Sequence, residues 1–213
     1  MVTPKSRCVI VSASPVDEGR FIESRISDGD YIICADGGLD KLLKLGITPN
    51  LVVGDFDSLS NRAVLKDKSV LTLPHEKDDT DTMYCVKYAL SQGFSEFLFL
   101  GAMGGRVDHM LSNLSLLLYL KNRNAHGVIS DIYGDNKLLN KGENILNHLN
   151  GRTVSIIPFA CDSVELSYTG MYYPLKNAEV KTEYPFSISN IVISDTATVT
   201  LHKGTALLII PAE

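Results

Sequence analysis

The chain has 213 residues and a mass of 23.3 kDa, with 20 Lys+Arg against 25 Asp+Glu, a formal charge of −5 and a pI near 5.5. A hydrophobic share of 45% against 21% charged excludes disorder as the main state, because so apolar a chain buries enough surface to offset the entropy of ordering. Scattered Lys and Arg on an acidic chain give no basic field for nucleic acid, and the longest apolar runs are strand-sized, far below the ~20 residues of a membrane span, so neither partner is expected. Residues 1–8 carry two basic residues but no apolar run of signal-peptide length follows them, so no targeting segment is expected. Cys8, Cys34, Cys85 and Cys161 form no CxxC pair, and the first three sit inside apolar patterns, as reduced thiols of a cytoplasmic protein do.

In chain order, short apolar runs first alternate with helical patterns. Residues 8–12, 31–34, 51–53, 70–73 and 97–100 read as strands apolar on both faces, like buried parallel strands. Residues 18–26, 39–45, 82–91 and 107–121 read as helices, the last with Val107, Met110, Leu111, Leu114, Leu117 and Leu118 at helical spacing. This alternation predicts an α/β domain over residues 1–140, a Rossmann-like parallel sheet flanked by helices. The polar stretch 142–150 reads as a linker. Residues 153–158, 163–168, 180–182, 188–193, 196–202 and 206–210 read as strands separated by Gly, Pro, Asn and Asp turns. They predict a small antiparallel β-sandwich over 141–213. So small a β domain is marginal alone and is expected to pack against the first domain or a second subunit.

Four acidic clusters each follow a strand: Asp36-Gly37-Gly38, Gly54-Asp55-Phe56-Asp57-Ser58, Lys77-Asp78-Asp79-Thr80-Asp81 and Gly104-Gly105-Arg106-Val107-Asp108-His109. Ligands of an open parallel sheet bind at the carboxyl ends of its strands, so Asp36, Asp55, Asp57, Asp81 and Asp108 are expected along one edge. Carboxylates this close raise each other's pKa unless a cation compensates. Hard oxygen ligands suit Mg²⁺, which takes one or two carboxylates together with substrate phosphates and water. Gly37-Gly38 and Gly104-Gly105 remove Cβ atoms where backbone approaches a ligand and expose N–H groups at helix starts. Arg106 offers a bidentate grip on phosphate, and Lys77 a point charge. There is no GxxxxGK[ST] P-loop, no GxGxxG after the first strand and no nucleophile elbow.

These four motifs, in this order and spacing, resemble the thiamin pyrophosphokinase family, and Ser187-Ile188-Ser189-Asn190 resembles its C-terminal thiamin-binding segment. The resemblance implies Mg²⁺-dependent conversion of thiamin and ATP to thiamin diphosphate and AMP. It also implies a homodimer, with active sites at the subunit interface. Asp55, Asp57 and Asp81 would hold Mg²⁺ and the triphosphate, with Asp36 near the reacting groups. Gly37, Gly38, Gly104, Gly105, Arg106, Asp108 and Thr80 would meet nucleotide and phosphates. Lys77, Thr80, Ser187, Ser189 and Asn190 would contact thiamin, the last two from the partner subunit. The chain has no Trp, so any indole stacking on thiamin in relatives falls here to Tyr172, Tyr173 or Phe186, or is absent.

Such a reaction needs positioning and charge neutralisation more than covalent chemistry. Attack must fall on the β-phosphorus, and either Asp36 or Asp81 would accept the hydroxyl proton. A metal-dependent phosphohydrolase using the same carboxylates and a non-catalytic nucleotide- or thiamin-binding module are the alternatives.

Overall fold

A computed structural model describes residues 7–16, 18–55, 69–74 and 78–212. Two compact units divide between Ile132 and Tyr133.

The first unit runs β1 (Cys8–Val11), α1 (Gly19–Arg25), β2 (Tyr31–Ala35), α2 (Gly38–Lys44), β3 (Leu51–Gly54), β4 (Val70–Thr72), α3 (Asp81–Ser91), β5 (Glu96–Leu100), α4 (Val107–Lys121) and β6 (His126–Asp131). Its sheet has the order β6-β5-β1-β2-β3-β4, with every pairing parallel. β1 and β3 are buried along their whole length, which is why they read as unbroken apolar runs. Val9, Val11, Ile22, Cys34, Leu39, Val52 and Leu98 form a core between the sheet and α1 and α2. β4 departs from expectation. Its Val70 and Thr72 are exposed, because an edge strand has a neighbour on one side only.

α4 turns a different face inward from the one its apolar spacing predicts. Asn113, Leu116, Leu117 and Leu120 are buried, while Val107 and Leu111 are exposed. A polar residue joins the inward stripe because its amide Nδ2 donates to the Ala102 carbonyl at 2.6 Å.

After β1 the chain lays β2, β3 and β4 in one direction and then β5 and β6 in the other. Connections that leave adjacent strands in opposite directions open a crevice at their carboxyl ends. Here that crevice falls beyond Val11 and Leu100.

The second unit runs β7 (Gly134–Leu138), β8 (Gly142–Asn147), β9 (Thr153–Pro158), β10 (Ser163–Thr169), β11 (Leu175–Lys181), β12 (Asn190–Ile191), β13 (Thr196–Lys203) and β14 (Ala206–Pro211). The strands form two antiparallel layers, β12-β9-β14-β7 and β11-β10-β13-β8. Val154, Ile156, Ala206 and Leu208 of one layer share a core with Leu146, Val164, Leu166, Val199 and Leu201 of the other. β9 and β10 bury every second residue, the alternation of a sandwich. The whole is thus mixed α/β with a separate antiparallel sandwich.

The expected linker at 142–150 is largely strand, β8, paired with β13 over 142–147. Glu143 and Asn147 are exposed, while the half-buried Asn144 shares the face of buried Leu146 and donates from Nδ2 to the carbonyls of Asn140 and Gly142. β6 and β7 were not anticipated from sequence. β7 pairs along its length with β14, so residues 133–140 fall within the second unit. The run expected at 188–193 is strand only at β12, and that expected at 180–182 is the end of the longer β11. Among the described residues, no helix is long and apolar enough to cross a membrane.

Candidate active site

The loops after β1 and β5 are joined directly. Ser12 N donates to Leu100 O and Ser14 N to Gly101 O, both at 2.9 Å. This closeness depends on glycine. A Cβ on Gly101, at φ +60°, would lie 2.6 Å from Ser12 O, and one on Gly104 would lie 2.6 Å from Val16 Cγ2. The bare backbone of this loop therefore makes room first for the β1 loop.

The turn from β2 into α2 carries Asp36 at φ +41°, a left-handed conformation unusual outside glycine and often found at functional sites. It is held by Asp36 N donating to Val53 O at 2.8 Å and Leu39 N donating to Asp36 O at 3.1 Å. A Cβ on Gly54 would lie 3.3 Å from Asp36 Oδ1, so the carboxylate rests over the end of β3, beside the half-buried Asp55. Gly38 is fixed by packing, since a Cβ there would lie 2.2 Å from Val11 O.

α3 begins at Thr80, whose Oγ1 accepts from Met83 N at 3.2 Å as an N-cap, leaving Asp81 half-buried in the first turn. Buried Ser12 Oγ and Thr82 Oγ1, 3.1 Å apart, tie that turn to the end of β1. At the start of α4, Arg106 grips Asp108 with two hydrogen bonds, Nε to Oδ1 at 3.1 Å and Nη2 to Oδ2 at 2.5 Å. The hydrogen bonds from Arg106, aided by one from the His109 amide, hold the Asp108 carboxyl down to about 2.

Asp36, Thr80, Asp81, Gly104, Gly105, Arg106 and Asp108 all line one cavity of about 700 Å³ at the crevice. His109 of the fourth motif and Ala102 just before it also line it, as do Ser12, Ala13, Ser14, Pro15, Ser112 and Asn113, which were not anticipated from sequence. The four residues after β1 were open to the same strand-end rule, but carry no charge to draw notice. Asp55, Gly37 and Gly38 stand at the same strand ends without belonging to that lining. Asp57 and Lys77 lie outside the described residues.

In the second unit, Ser187 is buried and its hydroxyl donates to Ile156 O. Asn190 is 5% exposed and holds both backbone groups of one residue, with Tyr173 N donating to Oδ1 at 3.0 Å and Nδ2 donating to Tyr173 O at 2.8 Å. Ser189 is exposed at φ +55°, with its amide donating to Ser155 Oγ at 2.9 Å. The clamp steadies Tyr173, which meets Tyr172 edge to face at 4.9 Å, both rings largely exposed. Tyr184 and Phe186 form a second exposed pair at 6.0 Å.

The donors at the cavity are carboxylates, the hard oxygens that Mg²⁺ prefers, and Mg²⁺ needs only one or two of them alongside phosphate and water. Gly54 leaves room for the first of them, since a Cβ there would crowd the Asp36 carboxylate at 3.3 Å. Among the described residues, no three Asp, Glu, His or Cys side chains form a complete protein-only metal cage. The set fits an ion shared with a substrate.

A parallel α/β unit with a carboxylate-lined crevice at the point where strand order reverses, followed by a β-sandwich, is an enzyme scaffold for charged substrates. The family model for the thiamin pyrophosphokinase catalytic domain matches residues 22–129, and that for the family's vitamin B1 binding domain matches residues 139–206. A thiamine pyrophosphokinase of Bacillus subtilis is 32% identical over 182 residues, 83% of this chain and 85% of that protein. One of Caenorhabditis elegans is 25% identical over 215 residues, 95% of this chain and 87% of its own. The crystal structure of the Bacillus subtilis thiamine pyrophosphokinase superposes with a TM-score of 0.88 at 29% identity, covering 98% of this chain and 100% of that one. That of the Geobacillus thermodenitrificans enzyme gives 0.86 at 27%, covering 97% and 98%. The chain belongs to the thiamin pyrophosphokinase family.

Proposed function

We propose that the chain transfers the diphosphoryl group of ATP to the hydroxyl of thiamin, giving thiamin diphosphate and AMP in a Mg²⁺-dependent reaction. The observation that carries this is the crevice, where Asp36, Asp81, Arg106 and Asp108 face one cavity large enough for a nucleotide. The first unit, a Rossmann-like sheet in its ligand placement, binds ATP; the second binds thiamin.

Asp55, Asp57 and Asp81 would hold Mg²⁺, which would supply the positive charge that the triphosphate requires. The chain's own residues do the rest. Backbone N–H groups at Gly37-Gly38 and Gly104-Gly105 meet phosphate oxygens. Arg106 leaves Asp108 to grip a phosphate and stabilises charge developing in the transition state. The thiamin hydroxyl attacks the β-phosphorus, the bond from that phosphorus to the α–β bridging oxygen breaks, and AMP departs. Asp36 or Asp81 accepts the hydroxyl proton. Thr80 and Lys77 would line the pocket where nucleotide meets thiamin. Ser189 and the Tyr172–Tyr173 pair offer thiamin a polar contact and an aromatic surface, with Asn190 holding Tyr173 and Ser187 fixing the segment to Ile156.

The active form is a cytoplasmic homodimer in which each site takes its thiamin-binding residues from the partner subunit. A β unit that leaves Tyr172, Tyr173, Ile188 and Ile193 exposed supports such an assembly. Chromatographic separation of AMP, ADP and thiamin esters after incubation with ATP, Mg²⁺ and thiamin tests the reaction. Equal amounts of AMP and thiamin diphosphate are expected. ADP with thiamin monophosphate, or phosphate released without thiamin, would overturn it.

A further inference from the structure

Behind the cavity wall lies a buried charge cluster that the proposed chemistry does not use. Glu18, just before α1, is 2% exposed, and Asp131, at the end of β6, is 3% exposed. Lys41 on α2 sends its ammonium to Val16 O at 2.7 Å, and the same Nζ lies 3.7 Å from where a Gly101 Cβ would stand. Burial pushes the Glu18 carboxyl up; the Lys41 charge draws it down, Asp131 pushes it up again, and the amides of Ile132 and Gly101 favour its charged form. Among the described residues, neither Glu18 carboxylate oxygen has a well-formed hydrogen bond.

One carboxylate is thus shared by the β1 loop, the β5 loop, α2 and the end of β6. An imperfectly satisfied buried charge lowers stability rather than adding to it. Residues kept at such a cost concentrate where function needs them. The two loops that the cluster joins are those whose Ser12–Pro15 and Gly101–Gly105 segments line the cavity. Val16 is the link: Lys41 fixes its carbonyl, and its side chain stands 2.6 Å from the Cβ position of Gly104.

We propose that Glu18 and Lys41 are positioning residues that hold the β1 loop against the glycine loop after β5 and so set the spacing of the phosphate-facing backbone. This rests on ATP being the ligand of the crevice. The coupling runs from Lys41 through Val16 to Gly104, while the charge of Glu18 attracts the Lys41 ammonium that stands near Gly101. Neither side chain touches substrate.

The test uses Lys41→Met and Glu18→Gln in the full chain, measuring KM for Mg·ATP, KM for thiamin, Tm, and amide exchange at Ser12 and Ser14. Lys41→Met is expected to raise KM for Mg·ATP about tenfold, a modest share of the cost of a 1 Å misplacement, and to leave KM for thiamin within about twofold. Exchange at Ser14 accelerates, while amides inside β1 keep their protection. Glu18→Gln shows the same split with a Tm at pH 7 no lower than the parent's, and the double variant is no worse than Lys41→Met, because the Glu18 charge acts through the Lys41 ammonium. Lys41→Arg, which keeps a donor and the charge, restores the parent's KM and covers the case in which Lys41→Met does not fold. A lower Tm with both KM values unchanged, or an equal rise in both, would reduce the cluster to packing. Absence of thiamin-dependent AMP from the parent chain would instead refute the proposed reaction, and Ser14 exchange would still decide the positioning role.

Discussion

The two units hold their polar site residues by opposite means. In the first, the end of each parallel strand releases a turn whose backbone is shaped by glycine and by one strained aspartate, and carboxylates gather because four turns meet at one edge. In the second, strands alternate inward and outward residues, and the Ser187–Asn190 segment is fixed by side chains that hydrogen-bond to backbone. Substitutions in the first unit should therefore act through backbone displacement and charge. Those in the second should act through loss of one clamp.

The largest effect is expected at the carboxylates. Asp55→Asn or Asp81→Asn should lower kcat by at least ~100-fold, the scale of one lost electrostatic stabiliser, with folding retained. Near-parental turnover at saturating Mg²⁺ would remove that residue from the site. Gly38→Ala sharpens the backbone side of the contrast. Its Cβ meets Val11 O at 2.2 Å, where nothing flexible can yield. Denaturation should show a loss on the order of 3 kcal/mol, the upper range for overpacking, and an unchanged midpoint would contradict the fit.

Asn190→Ala probes the clamp. It strips partners from both Tyr173 backbone groups and should cost about 1–3 kcal/mol in urea unfolding, within the range for unsatisfied buried groups. A smaller change, about 1 kcal/mol, is expected for Thr80→Ala, which deletes the α3 cap, with the slope m unaltered. The smallest is electrostatic. The folded pKa of Asp108, about 2, lies below its ordinary 3.8, so the Arg106 pairing contributes above pH 3.8 and fades as pH falls from there toward 2. The pair is exposed, so salt screens it. Carboxyl NMR should show that depressed midpoint, and Arg106→Gln should return it toward 3.8. A midpoint indifferent to Arg106 would contradict the pairing.

Much of this was legible in sequence. The spacing predicts α4 over the same residues 107–121 that form it, because a fifteen-residue apolar period is hard to mistake, and all but one of the strands of the parallel sheet read as apolar runs. The face of α4 was not, because only tertiary contact shows that Asn113 turns inward to Ala102. β8 reads as a linker because its polar residues give no hint that Thr196 and Thr200 across the sheet pair with Asn147 and Glu143. The acidic motifs announced the crevice through charge. Ser12–Pro15 and the Lys41–Val16 contact carry no comparable local mark, since both depend on loops meeting across adjacent strands. The left-handed turn at Asp36 was likewise closed to sequence, where Asp-Gly-Gly reads only as a turn.

The most direct test of the division of labour is calorimetric titration of Mg·ATP and of thiamin into Asp81→Asn and Asn190→Ala. Asp81→Asn should weaken Mg·ATP at least about tenfold, the size of one lost charge-assisted contact, and leave thiamin binding within about twofold. Asn190→Ala should do the reverse. Both variants weakening the same ligand, or thiamin binding indifferent to Asn190, would contradict the assignment of ATP to the strand ends and thiamin to the sandwich.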